Sequence, residues 1–473
     1  MTHMIRQQHL KVAFQGTEPE LAALQQRLQR FCRDSLLPAI EVALDRHSTT
    51  DQHLYLERLD LDVGQLPVER LEYDLAASVT EALERTLNKE LSRTRATQRK
   101  SSQQAFTEAF LYFLEAGSLP WWFRLPPGCD LEQGLVDCWQ ARDPSGSVSR
   151  TLQETAPRLF ASASARRRLL LQFSHPFLGF LLALVSPEVW ETANAVFLRL
   201  EGLPLPEVAL KLLRENVWER TFAAVARGGG ASERELAGSP WRSPPFSALL
   251  PSGMAEELAA LWPETRGKGR ESAGSGAGPT GSAGSGYPAA GEEPGLIRSR
   301  DGAVHPEAAE GIYIDNAGLV LLHPFLPQCF EALRIAQGGK LLQPERAVCL
   351  LHHLAAGSVK APEYLVTLPK VLCNIGLQEA VSSEAALTSA EQGECAALLE
   401  AVIRHWGALG SCSPDALRGT FLVRPGKLTL RRDGEWLLQV ESSGCDILLD
   451  ELPWSISMIR LPWMGALLWV EWT

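Results

Sequence analysis

The sequence lacks any apolar run long enough to cross a bilayer. Its most apolar stretch, Leu169 to Val185, contains His175 and Pro176 and falls short of the ~20 residues a spanning helix needs. Positive charge is also scarce: 45 Lys and Arg against 56 Asp and Glu leave a net charge of −11. A chain that coats nucleic acid or anionic lipid needs clustered cations to neutralise phosphates, so neither nucleic acid nor membrane is an expected partner. No apolar segment follows Arg6, which argues against a secretory leader and makes the cytoplasm the expected place of action. There is no Cys-x2-Cys pair. Nine cysteines at irregular spacing form no disulfide framework, and they read as thiols of a reducing compartment, most of them buried.

What is present is globular material. The 473 residues are 45% hydrophobic and 21% charged, enough for two to four domains at roughly 100–200 residues each. Residues 8–15 alternate and predict a strand. Thr17 and Glu20 make a capping box for a helix carrying Leu21, Leu24, Leu28, Phe31, Leu36 and Ile40, which Pro38 kinks or splits. A second strand from Leu54 to Val63 slips its alternation at Glu57 and Arg58, as a bulge does. A second helix over 68–91 carries Leu71, Leu75, Val79, Leu83 and Leu87 on one stripe. Residues 1–94 therefore form an N-terminal β-α-β-α domain.

Residues 93–104 are polar and basic and read as a solvated joint. Residues 95–226 form a helical middle region. Phe106, Phe110 and Phe113 share one face there, a turn falls at Pro120-Trp121-Trp122, and helices lie near 150–185, 187–201 and 206–226. Residues 227–310 hold Gly228 to Gly230 and a Gly/Ser/Ala run over 272–286. They predict a flexible low-complexity linker, interrupted by a short helix near 254–261. Residues 311–473 predict helices near 325–336, 344–356, 363–375 and 389–408. Arg432-Asp433-Gly434 between two apolar runs then signals a β-hairpin. The expected fold class is multidomain α+β, with a C-terminal domain that is mostly helical around that hairpin.

The chemical motifs fail one by one. The run at 272–286 has no Gly-Lys-Ser/Thr ending and no preceding strand, so it is not a phosphate loop. Cys349, His352, His353 and Cys373 hold zinc-ligand chemistry, but the two cysteines fall on apolar helical faces. His405, Asp415 and Ser411 or Ser413 make a triad only on paper, because no Gly-x-Ser-x-Gly elbow exists. Asp446, Asp450 and Glu451 read as a solvated edge. No catalytic residue, metal, cofactor or small-molecule ligand is expected. The unusual feature is the Trp-rich end, with Trp454, Trp463, Met464, Trp469 and Trp472. Aromatics there either close a core or present a partner-docking surface, and residues 467–472 alternate as a strand at a sheet edge would.

Several long strings carry a family resemblance. At the N-terminus these are His9 to Val12, Leu54 to Gly64 and Leu71 to Leu75. In the C-terminal half they are Ile312 to Leu326, Pro344 to Val348, Leu368-Pro369-Lys370, Val402 to Trp406, Leu417 to Leu422, Arg424 to Leu428 and Leu452 to Met464. Over residues 1–94 and 311–473 the chain resembles contractile injection system tape measure proteins. The resemblance implies a bacterial phage-tail-like particle, with an inner tube inside a contractile sheath on a baseplate. It implies a non-enzymatic assembly protein that sets tube and sheath length. The implied partners are the inner tube, the baseplate hub and a tube terminator or cap. It places the chain in the cytoplasm during assembly and leaves retention in the particle open.

One expectation pulls the other way. The longest helix predicted, of about 30 residues, spans only about 45 Å, and the whole chain as one helix about 700 Å. No long heptad pattern is present. An adaptor, chaperone or cap joining tube to baseplate is the alternative, and an enzyme with an unrecognised site the third.

Overall fold

The Thr17–Glu20 box opens the first helix: the Glu20 carboxylate accepts from both Thr17 N–H and Thr17 Oγ at 2.8 Å. These details come from a computed structural model. It describes residues 8–15, 17–47, 52–54, 59–67, 70–93, 99–126, 128–141, 146–242, 246–251, 253–262, 311–382 and 387–472, with single residues 5, 56 and 308. The Gly/Ser run at 272–286 lies outside these residues. The chain divides into two units, one of Met1–Phe110 with Pro120–Val148, the other of Leu111–Leu119 with Ser149–Thr473. The class is mixed α+β.

In the first unit α1 (Glu18–Phe31) runs into α2 (Leu37–His47) through a π-helical turn at Cys32–Leu36. Pro38 lacks an N–H and its ring crowds the preceding turn; the wider π turn just before it relieves both problems. The helix is thus neither broken nor regular. α3 (Leu71–Arg93) buries Leu75, Val79, Leu83 and Leu87 against Phe31, Leu36, Ile40 and Ala43. The predicted stripe is this core. The predicted strands are largely absent: residues 8–15 join no ladder, with Leu10 and Val12 exposed. Among the described residues of the segment 54–63 only Leu54 is in a strand, β1 (Gln52–Leu54), which pairs antiparallel with β2 (Arg99–Ser101). Leu59, Leu61 and Val63 still pack on the helical core. Alternation alone cannot make a strand, because a strand needs a neighbour for its backbone groups.

In the polar stretch 93–104 the described residues 99–104 are more ordered than expected. They contain β2, and Ser101 and Gln104 cap α4 (Ser102–Ala116) reciprocally at 3.1 and 3.2 Å. Lys100 pairs with Glu108 and lies 4.8 Å from the Trp122 ring centroid. The turn at Pro120 is present, with Phe123 N–H donating to Pro120 O at 3.0 Å. In α5 (Leu131–Gln140), Trp139 donates to Thr107 Oγ1 at 2.9 Å and packs edge-on to Phe110.

The second unit begins with the last turns of α4 and continues through α6 (Ser147–Phe160), α7 (Ala163–Gln172), α8 (His175–Val185), α9 (Pro187–Glu201) and α10 (Glu207–Ala226). Their interior is aromatic: Trp218 stacks on Phe222, and its indole N–H donates to His175 Nδ1 at 2.8 Å. Burial lowers the His175 pKa, which favours the neutral imidazole that accepts this bond. Part of the predicted linker is folded. α11 (Glu233–Ala237), α12 (Phe246–Leu249) and α13 (Met254–Leu261) follow, and Trp241 lies beside Trp262 at 6.0 Å.

The C-terminal segment starts with β3 (Ile312–Ile314), α14 (Leu326–Ala332) and the short pair β4 (Ala336–Gln337) and β5 (Lys340–Leu341). α15 (Pro344–Ala356), α16 (Thr367–Leu372), α17 (Ser389–His405) and α18 (Pro414–Leu417) come next. The hairpin then forms as expected from β6 (Gly426–Leu430) and β7 (Trp436–Val440), with Gly434 at φ 84° in the turn. β8 (Met458–Ile459) and β9 (Leu468–Trp472) complete a five-stranded sheet in the order β3-β6-β7-β9-β8. The last strand is internal, not at an edge, and runs parallel to β7.

Candidate functional site

The Trp-rich end is pinned from within. Trp454 Nε1 donates to Leu321 O at 3.1 Å, and its ring meets Phe325 edge-on. Trp463 Nε1 donates to Leu372 O at 2.8 Å and stacks on Phe330. Met464 is buried, and its Sδ accepts from Leu461 N–H at 3.4 Å. Trp469 Nε1 donates to Glu435 Oε2 at 2.5 Å, with the Arg431 guanidinium 6.0 Å from the ring centroid. Trp472 Nε1 donates to Asp446 Oδ2 at 3.0 Å, with Arg424 5.8 Å from the ring centroid. All four indoles are half-buried. Each therefore has its polar atom satisfied inside the chain and part of its ring in water.

The residues considered for chemistry have other work. Cys349 Sγ reaches Ser382 O, and burial pushes the Cys373 thiol up, far from a thiolate. Burial likewise raises Cys329 to about 11 and Cys395 to about 12. All nine cysteines are thiols, but four are buried, fewer than the sequence suggested. His352 is buried and held neutral, its pKa lowered to about 4 by desolvation. Among the described residues no group of three His, Cys, Asp or Glu side chains is arranged to hold a metal. His405 bonds back to Ala401 O, Asp415 pairs with Arg418 at 2.7 Å, and Ser413 caps α18. The three are not assembled as a triad. Asp446 is not a solvated edge: it pairs with Arg424 at 2.9 Å and closes a capping box with Ser443.

A cluster that sequence reading missed lies deepest. Arg168 on α7, Glu363 at the start of a short 3-10 helix (Glu363–Leu365), and Lys370 on α16 are all essentially without solvent contact. Arg168 Nε and Lys370 Nζ both donate to Glu363 Oε1, at 3.0 and 2.6 Å. The remaining donors cap backbone carbonyls. Arg168 reaches Leu114 O, Glu115 O and Gln378 O, and Lys370 reaches Glu379 O at 2.7 Å. Glu363 Oε2 has no hydrogen-bond partner among the described residues. Burial lowers the Lys370 pKa and the Glu363 carboxylate opposes that shift. The one sequence signal was Lys370 itself, a cation in the apolar run Leu368 to Leu372.

The candidate catalytic residues are thus committed to capping contacts and ion pairs. The family comparison agrees in kind. The model of the contractile injection system tape measure protein family matches residues 2–472. The chain belongs to that family. The match spans the helical middle and the glycine-rich stretch as well as the two ends where the resemblance was legible. The tape measure family is one of structural assembly proteins. No curated protein matched the chain, and no solved structure did. Among the described residues no helix is long and apolar enough to cross a membrane.

Proposed function

We propose that this protein sets the length of the inner tube and sheath while a contractile injection particle is assembled, and that it does so without catalysis. The observation that carries the reading is the family match over residues 2–472. The failed search for catalytic motifs is compatible with it. Assembly takes place in the cytoplasm, and the partners are the inner tube subunits, the baseplate hub and a tube terminator or cap. The half-exposed rings of Trp454, Trp463, Trp469 and Trp472 are the docking candidates. Aromatics whose N–H groups are already fixed lose little entropy when a partner covers them.

The test is electron microscopy of particles from cells lacking this chain, with lengths scored. Tubes of scattered length support length control. Particles of normal, uniform length overturn it. Baseplates with loose tube subunits and no particles would replace it with an adaptor that starts assembly.

A further inference from the structure

Within the second unit the C-terminal apolar cluster and the helical segment meet across buried charge. Every member of the C-terminal apolar cluster comes from residues 308–470. The helical segment closes its own interior, with Phe160 on Phe222 at 5.0 Å and Phe197 on Trp218 at 4.7 Å. Between them lie the Arg168–Glu363–Lys370 cluster and two bonds of Gln172, to Val381 O at 2.7 Å and from Glu363 N–H at 2.9 Å. The exposed pair Arg167–Glu345 and the edge contact Phe113–Tyr364 add to this seam.

We infer that this seam is a release latch: the helical segment and the C-terminal segment separate along it while both stay folded. The physical reason is the character of the contact. A buried ion cluster fixes one register sharply, since misplacing any member strands an unpaired charge. Its net contribution to stability is nevertheless small, because opening returns three ions to water. An apolar seam would be costlier to open, because separation would expose its area to water. The cluster also tolerates no bulk: Gly117 sits at φ 78°, where a Cβ would lie 2.7 Å from Glu363 Oε1. An opened chain is longer than the closed one, which deepens the length-control reading and rests on it for its purpose.

The latch is testable on the isolated full-length chain, independently of any particle. Fluorophores are attached through unnatural residues at two exposed positions, Leu198 on α9 and Ile447 in the C-terminal segment. Single-molecule distances are then compared in three chains. The wild type should show a minor long-distance population under native conditions. Gln172→Ala removes both seam bonds without stranding a charge and should enrich that population. The triple variant Arg168→Leu, Glu363→Leu, Lys370→Met should deplete it by about tenfold. A single short distance in wild type and Gln172→Ala overturns the latch, whether or not the triple variant folds. Because no assembly is involved, that failure is distinct from failure of length control.

Discussion

His352 shows what burial does to a single group. Its folded-state pKa is lowered to about 4, against an ordinary value of 6.5, chiefly by desolvation. The unfolded chain binds a proton first as pH falls, so the penalty is absent above 6.5 and grows as pH drops toward 4. Denaturant midpoints measured between pH 7 and 4 should decline across that window. In His352→Leu the part of the decline above pH 4.5 should shrink; an unchanged profile would show that His352 is not responsible. Glu391 acts lower down. Arg346 and the Thr388 cap hold its carboxyl at about 2, so its contribution is lost only as pH falls from about 4.5 toward 2. Residue-scale features were legible only where local pattern encodes them. Thr17 and Glu20 announced their cap. Arg168, Glu363 and Lys370 meet across about 200 residues of sequence, and no local spacing records that.

At the scale of elements the C-terminal strand matters most. β9 lies between β7 and β8, and its apolar residues Leu468 and Val470 face the core. Truncation before Leu452 would remove two of five strands and leave β7 with an unpaired edge. The truncated chain is expected to lose the C-terminal fold, seen as loss of the near-ultraviolet tryptophan signal. Docking is therefore better probed one ring at a time. Trp463→Phe keeps the stack on Phe330 and loses the bond to Leu372 O, which should cost about 1 kcal/mol in urea unfolding. A cost near zero would mean that bond is not formed in solution. Helices at 187–201, 207–226 and 344–356 followed the sequence closely because a proline marks the start of each, a signal that is local. The hairpin did so because Asp433-Gly434 dictates its turn. The parallel pairing of β9 did not, since nothing local names a partner some thirty residues away, and residues 8–15 had the pattern of a strand without a neighbour.

For the whole molecule the tension lies between a folded chain and the proposed control of length. Among the described residues the longest helix, α3, has 23 residues and spans about 35 Å. No described element is a rod, so under the proposed length control the length depends on more than any one described element. The proposed opening at the Arg168 seam would add to that length, and residues 263–307, which lie outside the described residues, are where it can be varied. Each inserted residue there adds about 1.5 Å if helical and at most about 3.6 Å if extended. The decisive measurement is the length of particles assembled with graded insertions and deletions within residues 263–307, by electron microscopy. Length control predicts particle lengths that rise linearly with inserted residues, with a slope inside those bounds. Particles of constant length across the series would contradict it.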